Sequence, residues 1–166
     1  MEILFQWIAA TFFFFTPAYL ANLSCPFAKY FLPTIPISSH WLGDHKTWGG
    51  FTLALVIGTL SGFLIQFLPY LEFITINHYI FGFLSAFGAM LGDSIKSFIK
   101  RRLKILPGKP WIPFDQIDFI IGALIMVSIL QPIPGYIIIF GLLMTPILHL
   151  LTNIAAYKLK IKDVWY

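Results

Sequence analysis

Charge is the scarcest commodity in this chain. Only 11% of its 166 residues are Asp, Glu, Lys or Arg, against the roughly 25% with which a water-soluble domain covers its surface. Cysteine is nearly absent too. The single Cys25 excludes an intramolecular disulfide and any thiolate-built metal site, and reads as a small packing residue. No basic region precedes the first apolar run and no small-residue cleavage site is evident, so the N-terminal segment is expected to be a retained helix and not a signal peptide. Internal repeats, low-complexity linkers and histidines clustered at metal-ligand spacing are all missing. What remains is 58% hydrophobic and 18% aromatic, with a mean hydropathy of +0.83. These values define an integral membrane protein, and the length corresponds to a single domain.

Uncharged runs divide the chain into five expected transmembrane helices, at about 3–23, 49–71, 73–92, 117–131 and 135–157, in an all-α architecture. Residues 119–157 carry no charge, but Gln131-Pro132-Ile133-Pro134-Gly135 interrupts them, giving two spans joined by a tight turn. Small residues such as Gly58, Ser61 and Gly62, and the segment from Gly82 to Gly88, suit close helix packing in lipid. They allow packing within one chain or between two copies, so a homodimer is among the expected arrangements.

All eleven Lys and Arg residues fall in 22–48, 93–118 and 158–166, and the intervening ends hold only Glu2 and Glu72. The excess of cations on one side puts the N-terminus outside, the C-terminus in the cytoplasm, and the charged loop between helices 3 and 4 at the cytoplasmic face of the cell membrane. The net charge of +4 therefore reads as membrane orientation and not as nucleic-acid binding.

The loop region 91–119 holds three of the seven carboxylates and six of the eleven cations. Asp93, Ser97, Lys100 and Arg101 stand at i, i+4, i+7 and i+8, one face of a continued third helix that would hold a metal ion and a polyphosphate together. Lys96, Arg102 and Lys104 are more simply read as cations anchoring a helix end to anionic headgroups. Asp115 and Asp118, at i and i+3, project from one face at the start of the fourth helix. One aspartate there would serve as a cap. Two beside a third across the loop suit a hard divalent cation such as Mg²⁺, which takes a few carboxylate oxygens plus substrate phosphates. Between them Pro107, Gly108, Lys109 and Pro110 form a stiff loop, with Trp111 placed either to stack on a base or to sit at the interface. In the first loop Asn22 stands at a helix end. Lys46 and Thr47 precede a helix that begins with glycines, a place for a phosphate contact, though no Walker motif is present.

The motifs LGDHKTWGG, GDSIKSFIKRRLKILPGKPW and FDQIDF together resemble the archaeal CDP-archaeol synthases, relatives of the phosphatidate cytidylyltransferases, over nearly the whole chain. Gln116 and Lys109-Pro110 depart from the phosphatidate branch and favour the archaeal one, while Gly49-Gly50 stands where the family commonly has Arg-Gly. The resemblance implies transfer of CMP from CTP to 2,3-bis-O-geranylgeranylglycerol 1-phosphate, an ether lipid entering sideways from the bilayer. It implies Mg²⁺ on Asp93, Asp115 and Asp118, which with Lys100 form the catalytic set. Lys46, Ser97, Lys100 and Arg101 would hold phosphates, with Thr47 beside them, and Asn22, Pro107, Gly108 and Lys109 would shape the nucleotide site. The alternatives are an ester-lipid phosphatidate cytidylyltransferase, a small ion or solute transporter, and a structural protein whose basic loop binds anionic lipid. The few polar residues deep in the spans argue against transport, and the third leaves three grouped aspartates unexplained.

Overall fold

The computed structural model describes residues 1–106, 109–158 and 160. It contains five α-helices: α1 (Glu2–Ser24), α2 (Trp48–Ile65), α3 (His78–Arg102), α4 (Phe114–Ser128) and α5 (Gly135–Lys158). A 3₁₀ turn, Cys25–Tyr30, follows α1, and no strand forms among the described residues beyond an isolated bridge between Pro36 and Thr47. α3 is the hub, packing on α1, α2 and α4, while α5 lies against α1 and α4.

The distribution of polarity is that of a protein dissolved in lipid. Outward positions carry large apolar side chains, among them Phe5, Val56, Leu60, Ile139 and Leu143. The interior takes in polar groups, including Thr11, Ser61, Ser85 and Lys100. Among the described residues, three segments are long and apolar enough to cross a membrane: Glu2–Tyr30, Trp48–Ile65 and Gly135–Ala155. α3 and α4 fall outside that measure for plain reasons. The second half of α3 carries its charges, and the 15 residues of α4 span about 22 Å at a rise of about 1.5 Å, short of a core of roughly 30 Å.

Two expected helix boundaries differ. Helix was expected to run to 71 and resume at 73, yet α2 ends at Ile65 and α3 begins at His78. Pro69 lacks the amide that a continuing helix needs, and Tyr70 turns the chain with a positive φ of 70°. The segment stays apolar because it closes the end of the bundle: Leu71 and Ile74 are buried. The Gln131 side chain ties it down, its Oε1 accepting from the Thr75 amide at 3.1 Å. Asn77 then caps α3, its Oδ1 accepting from the Tyr79 amide at 2.9 Å.

Glycine decides how close α3 comes to its neighbours. A Cβ at Gly62 would lie 2.7 Å from the Gly82 nitrogen, so α2 and α3 touch backbone to backbone. Across the other face, a Cβ at Gly122 would overlap the Gly88 carbonyl, and one at Gly88 would lie 2.8 Å from the Ala123 Cα. In lipid, where apolar side chains gain little by leaving solvent, such contact is what holds helices together. The small-residue patches are thus used inside one chain. Gly122→Val is expected to separate α3 from α4 and destabilise the protein by about 3 kcal/mol or more. Gly135→Ala, into open space, is expected to leave stability within about 0.5 kcal/mol. Thermal unfolding of both variants in detergent checks the pair.

Candidate active site

The charged residues meet at one end of the bundle, where the last turns of α3, the first turn of α4 and the first loop converge. The loop 31–47 is pinned in place from both sides. The Ile37 amide donates to the Lys46 carbonyl at 2.8 Å, and the Trp48 amide to the Ile35 carbonyl at 2.9 Å. Trp41 stacks on Phe98 of α3 with centroids 5.5 Å apart, and the Arg102 guanidinium lies 4.6 Å from the centre of the Trp41 ring. This clasp lays Lys46 over α3.

Lys96 sits at the centre. Its Nζ lies 3.1 Å from Asp93 Oδ1, 3.2 Å from Asp115 Oδ1 and 2.9 Å from Asp118 Oδ2. Lys46 pairs with the other oxygen of Asp93. Lys100, only 7% exposed, donates to both oxygens of Asp115 at 3.0 Å and to the Lys109 carbonyl at 2.7 Å. A buried ammonium is tolerated only with such partners. The Trp111 amide also donates to Asp115 Oδ2. Neither aspartate is needed as the cap of α4, whose N-cap position is Pro113; both carboxylates turn to the lysines. Burial first, and then the Lys96 ammonium, pull Lys46 down to about 8.

The structure brings together Asp93, Asp115, Asp118, Lys46 and Lys100. It places the other expected residues differently. Thr47 Oγ1 caps α2, accepting from the Gly50 amide at 3.0 Å, and Ser97 Oγ donates to the Asp93 carbonyl at 2.8 Å, so both hydroxyls serve their own helices. Arg101 Nη1 donates to the Ile105 carbonyl at 2.7 Å, and its buried Nε has no partner. Lys109 reaches the cluster through its carbonyl while its residue is exposed. Asn22, half-buried in the last turn of α1, takes no part in the ion pairs. Pro107 and Gly108 lie outside the described residues. Lys96 is the residue that sequence reasoning set aside. It is not a surface anchor, since its side chain is 14% exposed among three carboxylates. The signal was there in its i,i+3 spacing from Asp93.

Among the described residues, no group of three or more His, Cys, Asp or Glu side chains is set for a metal ion. Lys96 accounts for that. Its contacts of 2.9 to 3.2 Å are right for an ammonium, whereas Mg²⁺ binds oxygen at about 2.0–2.1 Å. Yet Asp118 Oδ2 is buried with no well-directed hydrogen bond, even with the ammonium beside it. Three hard oxygen donors around one poorly directed cation fit a divalent ion that takes the ammonium's place. Lys96→Met is expected to destabilise the protein by about 3–5 kcal/mol, because it strands buried carboxylates. Mg²⁺ is expected to raise the melting temperature of this variant more than that of the wild type. Thermal unfolding with and without Mg²⁺ checks it, and a variant indifferent to Mg²⁺ would count against a cation site.

An apolar helical bundle holding a buried cluster of paired carboxylates and lysines at one end is the architecture of an integral membrane protein with an ionic site. The chain belongs to the CDP-archaeol synthase family: the family model described as CarS-like, CDP-archaeol synthase, matches residues 4–166. It is 39% identical to the CDP-archaeol synthase of Methanocaldococcus jannaschii, over 98% of this chain and 99% of that one. It is likewise 39% identical to the CDP-archaeol synthase of Pyrococcus furiosus, over 95% and 97% of the two chains. Its fold is similar to a solved structure described as an intramembrane enzyme for archaeal membrane lipids biosynthesis. That likeness has a TM-score of 0.70 and 26% identity, covering 86% of this chain and 92% of the other.

Proposed function

We propose that this protein transfers CMP from CTP to 2,3-bis-O-geranylgeranylglycerol 1-phosphate, giving unsaturated CDP-archaeol and pyrophosphate. Family membership over nearly the whole chain supports the reaction. The observation that carries the site is the convergence of Asp93, Asp115 and Asp118 on one cation.

A phosphate oxygen of the lipid attacks the α-phosphorus of CTP and pyrophosphate leaves, so the protein supplies alignment and charge balance and forms no bond of its own. Three aspartates and three lysines make the cluster formally neutral, so the charge of a triphosphate must be met by added cations. Mg²⁺ held by Asp93, Asp115 and Asp118 would supply Lewis-acid neutralisation of the phosphates. Lys100 fixes the orientation of Asp115 from below. Lys46, held by the loop clasp, faces the same space from the other side and binds phosphate. Were a cation to take its place among the carboxylates, the Lys96 ammonium would be free to meet a phosphate oxygen.

The reading extends to the membrane. Five spans with the N-terminus outside and the charged end in the cytoplasm account for the gathering of cations around 93–118. The short α4 would then hold Asp115 and Asp118 at headgroup depth, where a membrane-bound phosphate and a soluble nucleotide meet.

Asp115→Asn and Asp118→Asn are each expected to lower CTP-dependent pyrophosphate release at least about a hundredfold while the fold persists. Assays with radiolabelled CTP and the geranylgeranyl ether phosphate, against phosphatidic acid and with Mg²⁺ removed, check this. Near-normal turnover in both variants would sink the assignment. Burial holds Lys46 down to about 8, so if its ammonium binds phosphate, transfer is expected to fall as pH rises through that value. Lys46→Arg, whose guanidinium keeps its proton, is expected to hold its rate further into alkali in a pH–rate profile.

A further inference from the structure

The tip of the first loop, residues 38–46, folds largely on itself. The Leu42 and Gly43 amides both donate to the Ser38 carbonyl, at 2.9 and 3.2 Å, and the Lys46 amide donates to the Gly43 carbonyl at 3.3 Å. Gly43 makes the turn with a φ of +88°, a conformation that a side chain would strain. These bonds fix the shape of the tip and leave its position to contacts with the bundle. Among the described residues, its ion-pair and ring contacts with α3 fall at two places. Lys46 pairs with Asp93, and Trp41 stacks on Phe98 at 5.5 Å with the planes 25° apart. Arg102, one turn beyond Phe98, sets its guanidinium 4.6 Å from the centre of the Trp41 ring and 5.3 Å from that of Phe98. His40 meets the Trp41 ring edge-on at 5.1 Å.

We propose that Trp41 is a positioning residue for the transfer: fixed against Phe98 and Arg102, it holds the loop tip in register so that Lys46 meets a phosphate. The proposal rests on the cytidylyltransferase reading and adds what keeps its phosphate-binding lysine in place. Of the two contacts with α3, only one can last through the reaction. Lys46 cannot turn to a phosphate while its ammonium is taken up by Asp93, so in use the ion pair loosens and the tip needs another hold. The stack supplies it. Neither the ring nor the guanidinium employs a group for which a cation or a phosphate competes at Asp93. The register also fits, since Asp93 and Phe98 lie about 7.5 Å apart along α3, and the tip rests on the helix at both places. Trp41 is 44% exposed, so removing its ring frees the tip without opening the core. A lysine on a drifting backbone samples many positions, and ordering it then falls on the substrate. Such a cost is met on binding and appears in KM, not in kcat.

The test is a double-mutant cycle on the full chain in detergent, with CTP and the geranylgeranyl ether phosphate titrated in turn. Trp41→Ala is expected to raise the KM for one of the two about tenfold and to leave kcat within about twofold. Which substrate is affected tells whether Lys46 meets the phosphates of the nucleotide or that of the lipid. In a Lys46→Ala background the same change is expected to add less than about twofold, because the ring acts through the lysine. Trp41→Phe, which keeps a ring on Phe98, is expected to hold KM within about threefold of the wild type, and Arg102→Met to raise it about threefold. Phe31→Ala, 78% exposed in the same loop, is expected to change neither constant. Additive losses from Trp41→Ala and Lys46→Ala would overturn the proposal. So would wild-type constants in Trp41→Ala, or a Trp41→Leu protein as good as Trp41→Phe, which would mark mere apolar cover. Amide hydrogen exchange over 37–48 is read in the same proteins and needs no turnover. Trp41→Ala is expected to speed it about tenfold and Trp41→Phe is not. Faster exchange in a protein that transfers no CMP would refute the reaction and keep the hold on the loop. Normal transfer with unchanged exchange in Trp41→Ala would keep the reaction and remove the role of Trp41.

Discussion

Three carboxylates brought within reach of one another, out of bulk water, repel unless a cation stays between them. Asp93, Asp115 and Asp118 come from two helices and would drive those helices apart if left alone. Lys96 prevents this by standing within 3.2 Å of an oxygen of each. Lys46 and Lys100 flank the group on either side and bring its formal charge to zero. Neutrality matters for groups held out of bulk water, where an unbalanced ionised group is expensive. The cluster is therefore held ready by its own lysines.

That cluster exists because α3 and α4 touch through glycine. At Gly88 and Gly122 a Cβ on either helix would run into the other's backbone. One turn further on, Gly92 meets the backbone of Asp118 in the same way. Helices held this close leave the acidic side chains just beyond the seam no choice but to face each other. The same absence of side chains makes the floor of an apolar groove between α3 and α4, walled by Ile95, Ile99, Ile117, Ile121 and Ile125. One packing contact thus sets both the geometry of the ionic site and the shape of the apolar surface beside it.

Much of this was legible from residue order. Apolar runs and the Pro-Gly break near residue 135 mark five helices, and the scarcity of charge makes the three aspartates stand out. The misplaced ends at 66–77 have a physical cause. A loop that buries Leu71 and Ile74 to close a bundle is as apolar as a helix, so hydropathy cannot separate them. Side-chain roles were harder. Ser97 and Thr47 carry the right chemistry for phosphates, but both hydroxyls are taken by their own backbone. Lys96 was discounted because a cation at a helix end is usually an anchor. Only the approach of α4 shows that it faces inward, and that approach depends on glycines thirty residues apart in sequence.

The position of Lys96 bears on how two unlike substrates meet. A nucleotide comes from water with its charge; a lipid phosphate comes along the membrane with its chain. The lysine closes the carboxylate cluster with its ammonium, and it also lines the apolar groove between α3 and α4. While it neutralises the aspartates it is unavailable to a phosphate, because one ammonium cannot satisfy three carboxylates and a fourth anion. A divalent cation on the carboxylates, as proposed, would remove that competition and add net positive charge where there was none. On the proposed reading, a site so loaded would attract a lipid phosphate more strongly than the neutral cluster, whose own lysine is already taken up by the carboxylates.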